Sequence, residues 1–248
     1  MRTAVATLCT GEYVRGARVL FHTLRKYGNL PESVTCVAMG IDHCDFAEAV
    51  PLGTEYAWLP VCQRNFSAVG AKFHALTLPF DRVILLDSDM LCTGDCSLLW
   101  SRWLDPLPFW AVRDVASMFY YREKLGQLDL DHSLLFNGGT MVFNLSRYPY
   151  LAGSILGDLR DQKDESYDGG DQGYLNNWFQ RTGTHFGFLP LEYNACTDQH
   201  FPRMEPGTER LVHFTGGNIN PWAPRIGPGD VRWLLIERWR QEEKEAAV

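Results

Sequence analysis

Apolar runs and helical periods alternate along the N-terminal part of the chain. Residues 5–9 form a short apolar run typical of a strand, and from Tyr13 to Tyr27 apolar side chains recur at the helical period. Gly28-Asn29 marks the end of this helix, and Val34–Met39 is a second strand-like run. Because a crossover helix joins parallel strands, residues 3–39 are predicted to form a βαβ unit.

The remainder of the chain continues this mixture of short strands and helices, without repeats or a clear linker. Residues 115–135 fit neither period, and Phe136-Asn137-Gly138-Gly139 is a turn signal before a strand at 140–144. We therefore expect an α/β fold with a mainly parallel, twisted, Rossmann-like sheet flanked by helices. Further strands are predicted near 56–59, 82–86, 109–112, 186–189 and 211–214, and helices near 68–77, 98–103, 150–163, 174–181 and 230–243. The apolar face of that last helix is predicted to comprise Val231, Leu234, Leu235, Ile236 and Trp239.

The stretch from Arg82 to Leu91 carries the most informative chemistry. Four branched apolar residues suit a strand buried on both faces, and Asp87 and Asp89 follow it. Because side chains alternate along an extended segment, these two carboxylates project on the same side. A divalent metal would offset their repulsion, and the C-terminal edge of an open parallel sheet is a usual ligand site. Two solvated aspartates at an ordinary strand end are the alternative.

Three other places combine polar residues with glycine. Gly138 and its neighbours permit a close approach of the backbone to a ligand, or form a plain turn. In the run Asp168–Gly173, Asp171 is either a helix N-cap or, with Asp168 and an amide, part of a polyol-binding set. His213 ends a strand before a glycine turn, where it is either structural or a metal ligand. Lys72 by itself would be a solvated surface charge.

The bulk composition excludes several classes of protein. The 248 residues are 46% apolar and 21% charged, as in an ordinary globular domain. A net charge of -7 argues against nucleic-acid binding. No apolar run approaches the roughly 20 residues needed for a transmembrane segment, and the N-terminus has no signal-like apolar region. The seven cysteines contain no CxxC pair, so free, mostly buried thiols and a cytoplasmic location are expected.

Taken together, the motifs resemble the family-8 retaining glycosyltransferases, most closely the glycogenin-like branch. The resemblance covers about residues 3–222, and the order and spacing of its motifs make it specific. It rests on Ala6–Tyr13 with Arg15-Gly16-Ala17, Ala71–His74, Leu86–Asp89, Phe136–Gly139, Asp168–Gly173, Leu189–Asn194, and His213–Gly216 with Pro221-Trp222. The resemblance implies a single glycosyltransferase-A-type domain over residues 1–225. Residues 226–248 would then be an amphipathic helix that packs on this domain or on a partner, as in a homodimer.

The resemblance also implies roles for individual residues. Asp87, Asp89 and His213 match the metal ligands of the family, and this donor set suits Mn²⁺ better than Mg²⁺. The metal would bridge the diphosphate of a UDP-sugar. Residues matching the nucleotide and phosphate positions are Leu8, Thr10, Tyr13, Ser88, Gly216 and Asn220. Those matching the sugar positions are Lys72, Asp114, Asn137, Asp168, Asp171 and Gln172. Gly138 is also expected to contact the UDP-sugar, through its backbone. Asp168 and Asp171 are the candidates for a covalent nucleophile, and Gln172 could instead stabilise an oxocarbenium-like state. We expect same-face transfer, with the departing phosphate taking the proton of the acceptor.

Two departures from the family pattern matter. A lysine that usually follows the histidine is absent, and Asn220 stands nearest to its position. Neutralisation of the phosphates is therefore expected either to be weaker or to be supplied by Arg225. The segment between Asn194 and Leu211 has no tyrosine, so self-glucosylation is not supported. The expected reaction is transfer of a hexose, glucose before galactose, to a glycan, protein or small-molecule hydroxyl acceptor.

Three alternatives are weighed against this reaction. A degenerate transferase would bind the UDP-sugar without turnover, and a sugar nucleotidyltransferase would need a basic, glycine-rich N-terminal loop. A haloacid-dehalogenase phosphatase would need a threonine two residues after the second aspartate, where Leu91 stands.

Overall fold

A mixed β-sheet lies at the centre of the fold. The computed structural model describes residues 1–9, 11–51, 69–114, 131–161, 170–198, 207–215 and 219–247. Its main strands are β1 (Thr3–Leu8), β2 (Val34–Met39), β3 (Glu48–Val50), β4 (Arg82–Leu86), β6 (Phe109–Arg113), β7 (Phe136–Asn144) and β8 (Gly187–Leu189). Among the described residues these form one seven-stranded sheet in the order β3-β2-β1-β4-β7-β6-β8. A small second sheet has the order β5-β10-β9, from β5 (Met90–Cys92), β9 (Ala195–Cys196) and β10 (Leu211–His213).

The predicted βαβ unit is confirmed. Helix α1 spans Tyr13–Tyr27, and β2 pairs parallel to β1 over its whole length. The helix ends where the N–H of Gly28 donates to the carbonyl of Leu24 at 2.9 Å. A Cβ at Gly28 would lie 2.7 Å from that carbonyl oxygen, so a side chain would disrupt the helix end. Strands β3 and β4 extend the parallel arrangement on either side of the pair.

The turn predicted at residues 136–139 is wrong. These residues are the first part of β7, which is buried throughout and runs antiparallel to both β4 and β6. Their backbones pair with β6, where Val112 faces Asn137 across a register shift in the ladder. Glycine weakens a strand, but it is tolerated where another group comes so close that a side chain would not fit. Such a close approach explains the two glycines of β7.

Helices cover both faces of the sheet, as predicted. Helix α2 spans Tyr150–Asp161, α3 spans Gly170–Thr182 and α4 spans Trp233–Ala246. Short 3-10 helices form at Val69–Thr77, Ser97–Trp100, Arg102–Leu104, His132–Leu134 and Leu191–Asn194. Helix α3 begins four residues before the predicted Tyr174 because the polar run supplies its first turn. The strand predicted near 56–59 lies outside the described residues, as does most of segment 115–135.

The C-terminal helix packs on the rest of this chain through part of its predicted apolar face. Leu235, Ile236 and Trp239 are buried in a cluster with residues of α1 and β10. In contrast, Val231 and Leu234 are 70% and 68% exposed, so the described part of this chain does not cover these two residues of the predicted apolar face. Val231 precedes the helix, and at 3.6 residues per turn Leu234 points about 140° away from Trp239.

Two sequence-level expectations concern the chain as a whole. The described cysteines are free, and all but Cys44 are buried, which confirms the expected thiols. Within the described ranges, no helix combines the length and the apolar character that a membrane span requires.

Candidate active site

Two aspartates and a histidine converge at the edge of the main sheet. Asp87 and Asp89 follow β4, and His213 ends β10, which pairs antiparallel to β5 just after the aspartates. The Nε2 atom of His213 lies 3.3 Å from Asp89 Oδ1 and 3.5 Å from Asp87 Oδ2. One ligand atom from each of the three residues lies within 4.8 Å of the other two. The long-range pairing of β5 with β10 therefore assembles the cluster.

A buried asparagine fixes the orientation of the histidine ring. Asn194 Oδ1 lies 2.9 Å from His213 Nδ1, and a carbonyl oxygen can only accept, so Nδ1–H donates. Asn194 Nδ2 in turn donates to Asn137 Oδ1 at 2.7 Å. Asn137 Oδ1 also accepts the N–H of Gly139 at 2.9 Å. This chain of bonds directs the other ring nitrogen, Nε2, towards the two carboxylates.

The second glycine of the Asn137-Gly138-Gly139 stretch provides room for this arrangement. A Cβ at Gly139 would lie 2.4 Å from His213 Nδ1 and 2.8 Å from Asn194 Oδ1. A Cβ at Gly138 would lie 3.3 Å from the Oδ2 atom of Asp171, a tight contact. The close approach expected at these glycines is therefore made by the protein's own side chains.

Lys72 is a buried cation and not a solvated surface charge. Its Nζ lies 2.6 Å from Asp87 Oδ1 and 2.6 Å from Asp171 Oδ2, and 3.3 Å from the carbonyl oxygen of Gly138. Burial acts to lower the pKa of Lys72, but the carboxylates of Asp171 and Asp87 outweigh it and raise that pKa. The ammonium is thus retained, and it links Asp87 of the cluster to Asp171 in the first turn of α3.

The amide of Gln172 is held between a backbone N–H and a carboxylate. Its Oε1 accepts the N–H of Gly138 at 3.0 Å, and its Nε2 donates to Asp114 Oδ2 at 2.6 Å. Asp114 is fully buried just after β6. Because α3 begins at Gly170, Asp171 lies inside the first turn, and its carboxylate contacts Lys72. These polar residues therefore form one connected wall beside the Asp87–Asp89–His213 cluster.

Comparison with known proteins identifies the family. The model of "Glycosyl transferase family 8" matches residues 4–225. The chain belongs to glycosyl transferase family 8. This confirms the resemblance read from the sequence.

Two curated proteins are relatives of this family-8 chain. The lipopolysaccharide 1,2-glucosyltransferase of Escherichia coli K12 is 30% identical over 165 residues, which are 60% of this chain and 46% of that protein. Glycogenin of Cryptococcus neoformans is 26% identical over 286 aligned positions, which are 95% of this chain and 29% of that protein. The chain thus spans less than half the length of these curated relatives.

Solved structures establish the fold type of the family-8 chain. An active-site mutant of LgtC superposes with a TM-score of 0.72 at 15% identity, covering 98% of this chain and 95% of LgtC. The fold is accordingly of the glycosyltransferase-A type, as expected.

The cluster in this family-8 chain suits a divalent cation. Its donors are two carboxylates and one imidazole, and the imidazole is oriented by Asn194 in the manner usual for metal-bound histidine. Donor atoms about 2.1 Å from one metal lie roughly 3.0–3.5 Å from each other. The distances of 3.3 and 3.5 Å from His213 Nε2 to the carboxylates fall in that range. The residues present therefore fit a bound metal.

Three of the residues matched to the nucleotide, Leu8, Tyr13 and Ser88, lie around the same edge. Leu8 ends β1, and Ser88 is buried between the two aspartates. Tyr13 is 42% exposed at the start of α1, with its ring 5.2 Å from that of Trp222 in an edge-to-face contact. Burial, and then the charges of Asp89 and Asp87, raise the pKa of the Tyr13 hydroxyl. Tyr13 therefore lies within electrostatic reach of the cluster.

Of the four remaining site residues predicted from the sequence, the structure describes only Asn220. Asn220 Oδ1 accepts the N–H of Trp222 at 3.1 Å, which shapes the turn after β10. Thr10, Asp168 and Gly216 lie outside the described residues.

Sequence reasoning assigned no role to Asn194 or Trp222. Asn194 closes the Leu189–Asn194 stretch that carries part of the family resemblance, so an uncharged polar residue there was the available signal. Nothing local indicated its partner, because His213 is 19 residues further along the chain. Trp222 offered only its place after a proline.

Proposed function

We propose that this protein is a metal-dependent, retaining hexosyltransferase that moves a hexose from a UDP-sugar to a hydroxyl acceptor. Membership of glycosyl transferase family 8 supports sugar transfer as the general reaction. The observation that carries the proposal is the convergence of Asp87, Asp89 and His213 at one edge of the sheet. Turnover of the donor, and not its binding alone, separates this proposal from a degenerate transferase that binds a UDP-sugar without reaction.

The metal proposed for this cluster is Mn²⁺, with Mg²⁺ as the weaker alternative. A donor set that mixes imidazole with carboxylate favours Mn²⁺, because Mg²⁺ prefers oxygen ligands alone. Asp87, Asp89 and His213 would hold the ion, and its positive charge would offset the negative charge of the departing UDP. Asp87 can serve the metal through Oδ2 while Oδ1 stays with Lys72, since the two oxygens have different partners.

The donor is proposed to lie across the edge formed by β1, β4 and β7. The uracil and ribose would contact Leu8, Thr10 and Tyr13, and the backbone at Ser88 would support the nucleotide. Gly216 and Asn220 are proposed on the phosphate side, where Arg225 is exposed and can add positive charge. The sugar would contact the polar wall and its neighbours, namely Lys72, Asp114, Asn137, Gly138, Asp168, Asp171 and Gln172.

The contacts of the polar wall favour departure and attack on the same face of the sugar. A covalent route needs a carboxylate free to attack the anomeric carbon. Asp171 has its Oδ2 atom 2.6 Å from Lys72 Nζ and is 8% exposed, so it is a poorly placed nucleophile. The amide oxygen of Gln172 accepts a backbone N–H. We therefore assign Asp171 and Gln172 to holding the sugar, with Asp168 orienting its hydroxyls and the departing phosphate accepting the proton.

Glucose is the proposed hexose, and the acceptor is a hydroxyl of a glycan, a protein or a small molecule. The Escherichia coli relative is named a glucosyltransferase, which supports glucose over galactose. The transferase domain is proposed to comprise residues 1–225. Residues 226–248 would support it through the packing of α4 on α1 and β10.

A panel of UDP-sugars tests the donor. Thermal unfolding would be followed with each UDP-sugar in the presence of Mn²⁺ and again in EDTA. Donor at a hundredfold excess over its Kd should raise the free energy of unfolding by about 2.7 kcal/mol. UDP-glucose should give the largest shift, and EDTA should remove it. A shift that is equal with and without Mn²⁺ would contradict the proposal.

The anomeric form of the released sugar tests retention. With UDP-glucose and no acceptor, enough enzyme is added that hydrolysis outpaces the mutarotation of free glucose, and the first-formed anomer is then visible by proton NMR. Retention predicts the α-anomer from the α-linked donor. A β-anomer formed first would exclude the retaining route.

A further inference from the structure

A second set of potential metal ligands lies where α1 and α4 pack together, and it shares no residue with the Asp87–Asp89–His213 cluster. His22 belongs to α1, and Glu242 and Glu245 belong to α4. The two glutamates are three residues apart, so their carboxylates share one face of the helix. One ligand atom from each of the three residues lies within 4.8 Å of the other two. We propose that His22, Glu242 and Glu245 form a second metal site, for a transition-metal ion such as Zn²⁺, that ties α4 to α1.

The His22 nitrogen is placed as a ligand and not as a hydrogen-bond donor. Its Nε2 atom is buried and makes no hydrogen bond within the described part of the chain, although Glu242 Oε2 lies 3.3 Å away. A direct N–H···O bond is shorter, about 2.9 Å, and well aligned. Two donors about 2.0 Å from one tetrahedral metal lie roughly 3.3 Å apart. His213 Nε2 and Asp89 Oδ1 have the same 3.3 Å spacing in the active-site cluster.

The carboxylate of Glu242 is held in position by a second contact. Glu242 is 3% exposed, and its Oε1 accepts the Tyr27 hydroxyl at 2.7 Å. This leaves Oε2 directed at His22. Hydrogen bonds of this kind orient ligating carboxylates in metal sites. A buried carboxylate also requires a nearby cation, because an unpaired buried charge is strongly destabilising.

Lys26 supplies that cation in the absence of metal. Its Nζ lies 3.0 Å from Glu242 Oε2 and 2.6 Å from Glu245 Oε2. The ammonium therefore marks where positive charge is stable, and it competes with a metal for the same oxygens. The Lys26 side chain is 35% exposed and can turn outwards into solvent when a divalent ion binds.

The donor set and the surroundings indicate the kind of ion. One imidazole and two carboxylates provide three protein ligands and leave a fourth position for water, an arrangement that Zn²⁺ accepts. A cavity of about 490 Å³, lined in part by His22, Lys26 and Ala246, opens beside the cluster and gives an ion access. The metal would fasten the helix whose Trp239 packs against Trp222, 5.7 Å between ring centres. The proposal does not depend on sugar transfer.

Zinc titration calorimetry of the metal-free full chain tests the site. The background variant carries Asp89→Asn with His213→Gln, so that the active-site cluster no longer competes. We expect this variant to bind one Zn²⁺ per chain. Adding His22→Gln or Glu245→Gln should weaken binding at least about tenfold. Adding Lys26→Met should tighten it about tenfold, because no ammonium has to be displaced.

Matched controls separate this site from general effects. Exposed His185→Gln should leave Zn²⁺ binding unchanged, as should Glu243→Gln, which removes a carboxylate of α4 that pairs with Arg15 instead. Circular dichroism establishes that each variant is folded. A folded background variant that binds no Zn²⁺, or binding that is indifferent to His22→Gln, would overturn the proposal. Unchanged affinity in Lys26→Met would do the same. None of these results bears on the active-site cluster, which the background variant has already lost.

Discussion

Replacing Asn194 should weaken metal binding at a site where Asn194 itself is no ligand. The Asn194→Ala change removes the acceptor of the His213 Nδ1–H and the donor to Asn137. His213 Nδ1–H would keep only the weak sulfur acceptor Cys196 Sγ, 3.9 Å away, so the loss of folding free energy is about 1–3 kcal/mol at most. Asn137 Oδ1 would keep the N–H of Gly139, so it adds little to that cost. Loss of such an orienting partner typically lowers metal affinity by about 10–100-fold, or roughly 1.4–2.7 kcal/mol.

Asn176→Ala is the matched control for this prediction. Asn176 is also buried, and its side chain bonds the N–H and carbonyl of Phe136 at 2.9 and 2.8 Å and the carbonyl of Gln172 at 2.9 Å, without contacting His213. Both variants should lose similar stability in urea unfolding. Only Asn194→Ala should show weaker Mn²⁺ binding by titration calorimetry. If Asn194→Ala loses stability but retains wild-type Mn²⁺ affinity, the reasoning about His213 is refuted.

Three further predictions follow from neighbouring contacts. Lys72→Met should lower the free energy of unfolding, measured in urea, by about 3–5 kcal/mol, because it leaves the buried carboxylate of Asp171 without its cation. The control, Lys244→Met at an exposed position, should change that free energy by less than about 0.5 kcal/mol. Gly139→Ala should displace the His213 ring and weaken Mn²⁺ binding, since the new Cβ would lie 2.4 Å from Nδ1. The control, Gly153→Ala, should leave Mn²⁺ binding intact, because its Cβ would meet nothing within 4 Å. Mn²⁺ affinity should rise with pH: burial lowers the pKa of His213, but Asp89 outweighs it and raises that pKa well above its ordinary value, so a proton competes for Nε2 at neutral pH. Affinity that is constant between about pH 6 and pH 8 would contradict this.

Local patterns were sufficient for the elements that depend on neighbours in sequence. The bounds of α1 and β2 match their predictions, because a helical period and an apolar run are each complete within one segment. The Asp87 and Asp89 pair was recognisable from the strand that precedes it. In the C-terminal helix, the same kind of pattern did not separate exposed Leu234 from the buried residues, since apolar residues occur on more than one side of it.

Contacts between distant segments could not be predicted from local patterns. Gly139 is glycine because His213, 74 positions later, lies against its backbone, and this approach is invisible in the sequence around either residue. Lys72 is read as a surface charge until the fold places Asp87 and Asp171 beside it. The family resemblance assigned roles to such residues. The contacts that hold their side chains in place became visible only in three dimensions.

Release of UDP from UDP-glucose tests the central claim most directly. The claim is that a metal held by Asp87, Asp89 and His213 is required for sugar transfer. Initial rates would be measured with Mn²⁺ and with EDTA for the wild type, Asp89→Asn and exposed Asp42→Asn. The side chain of Asp89 is 24% exposed, so its substitution should leave the fold intact by circular dichroism. We expect Mn²⁺-dependent release by the wild type and Asp42→Asn, and a loss of at least about 100-fold in Asp89→Asn. Undiminished release in EDTA, or by folded Asp89→Asn with Mn²⁺, would contradict the claim.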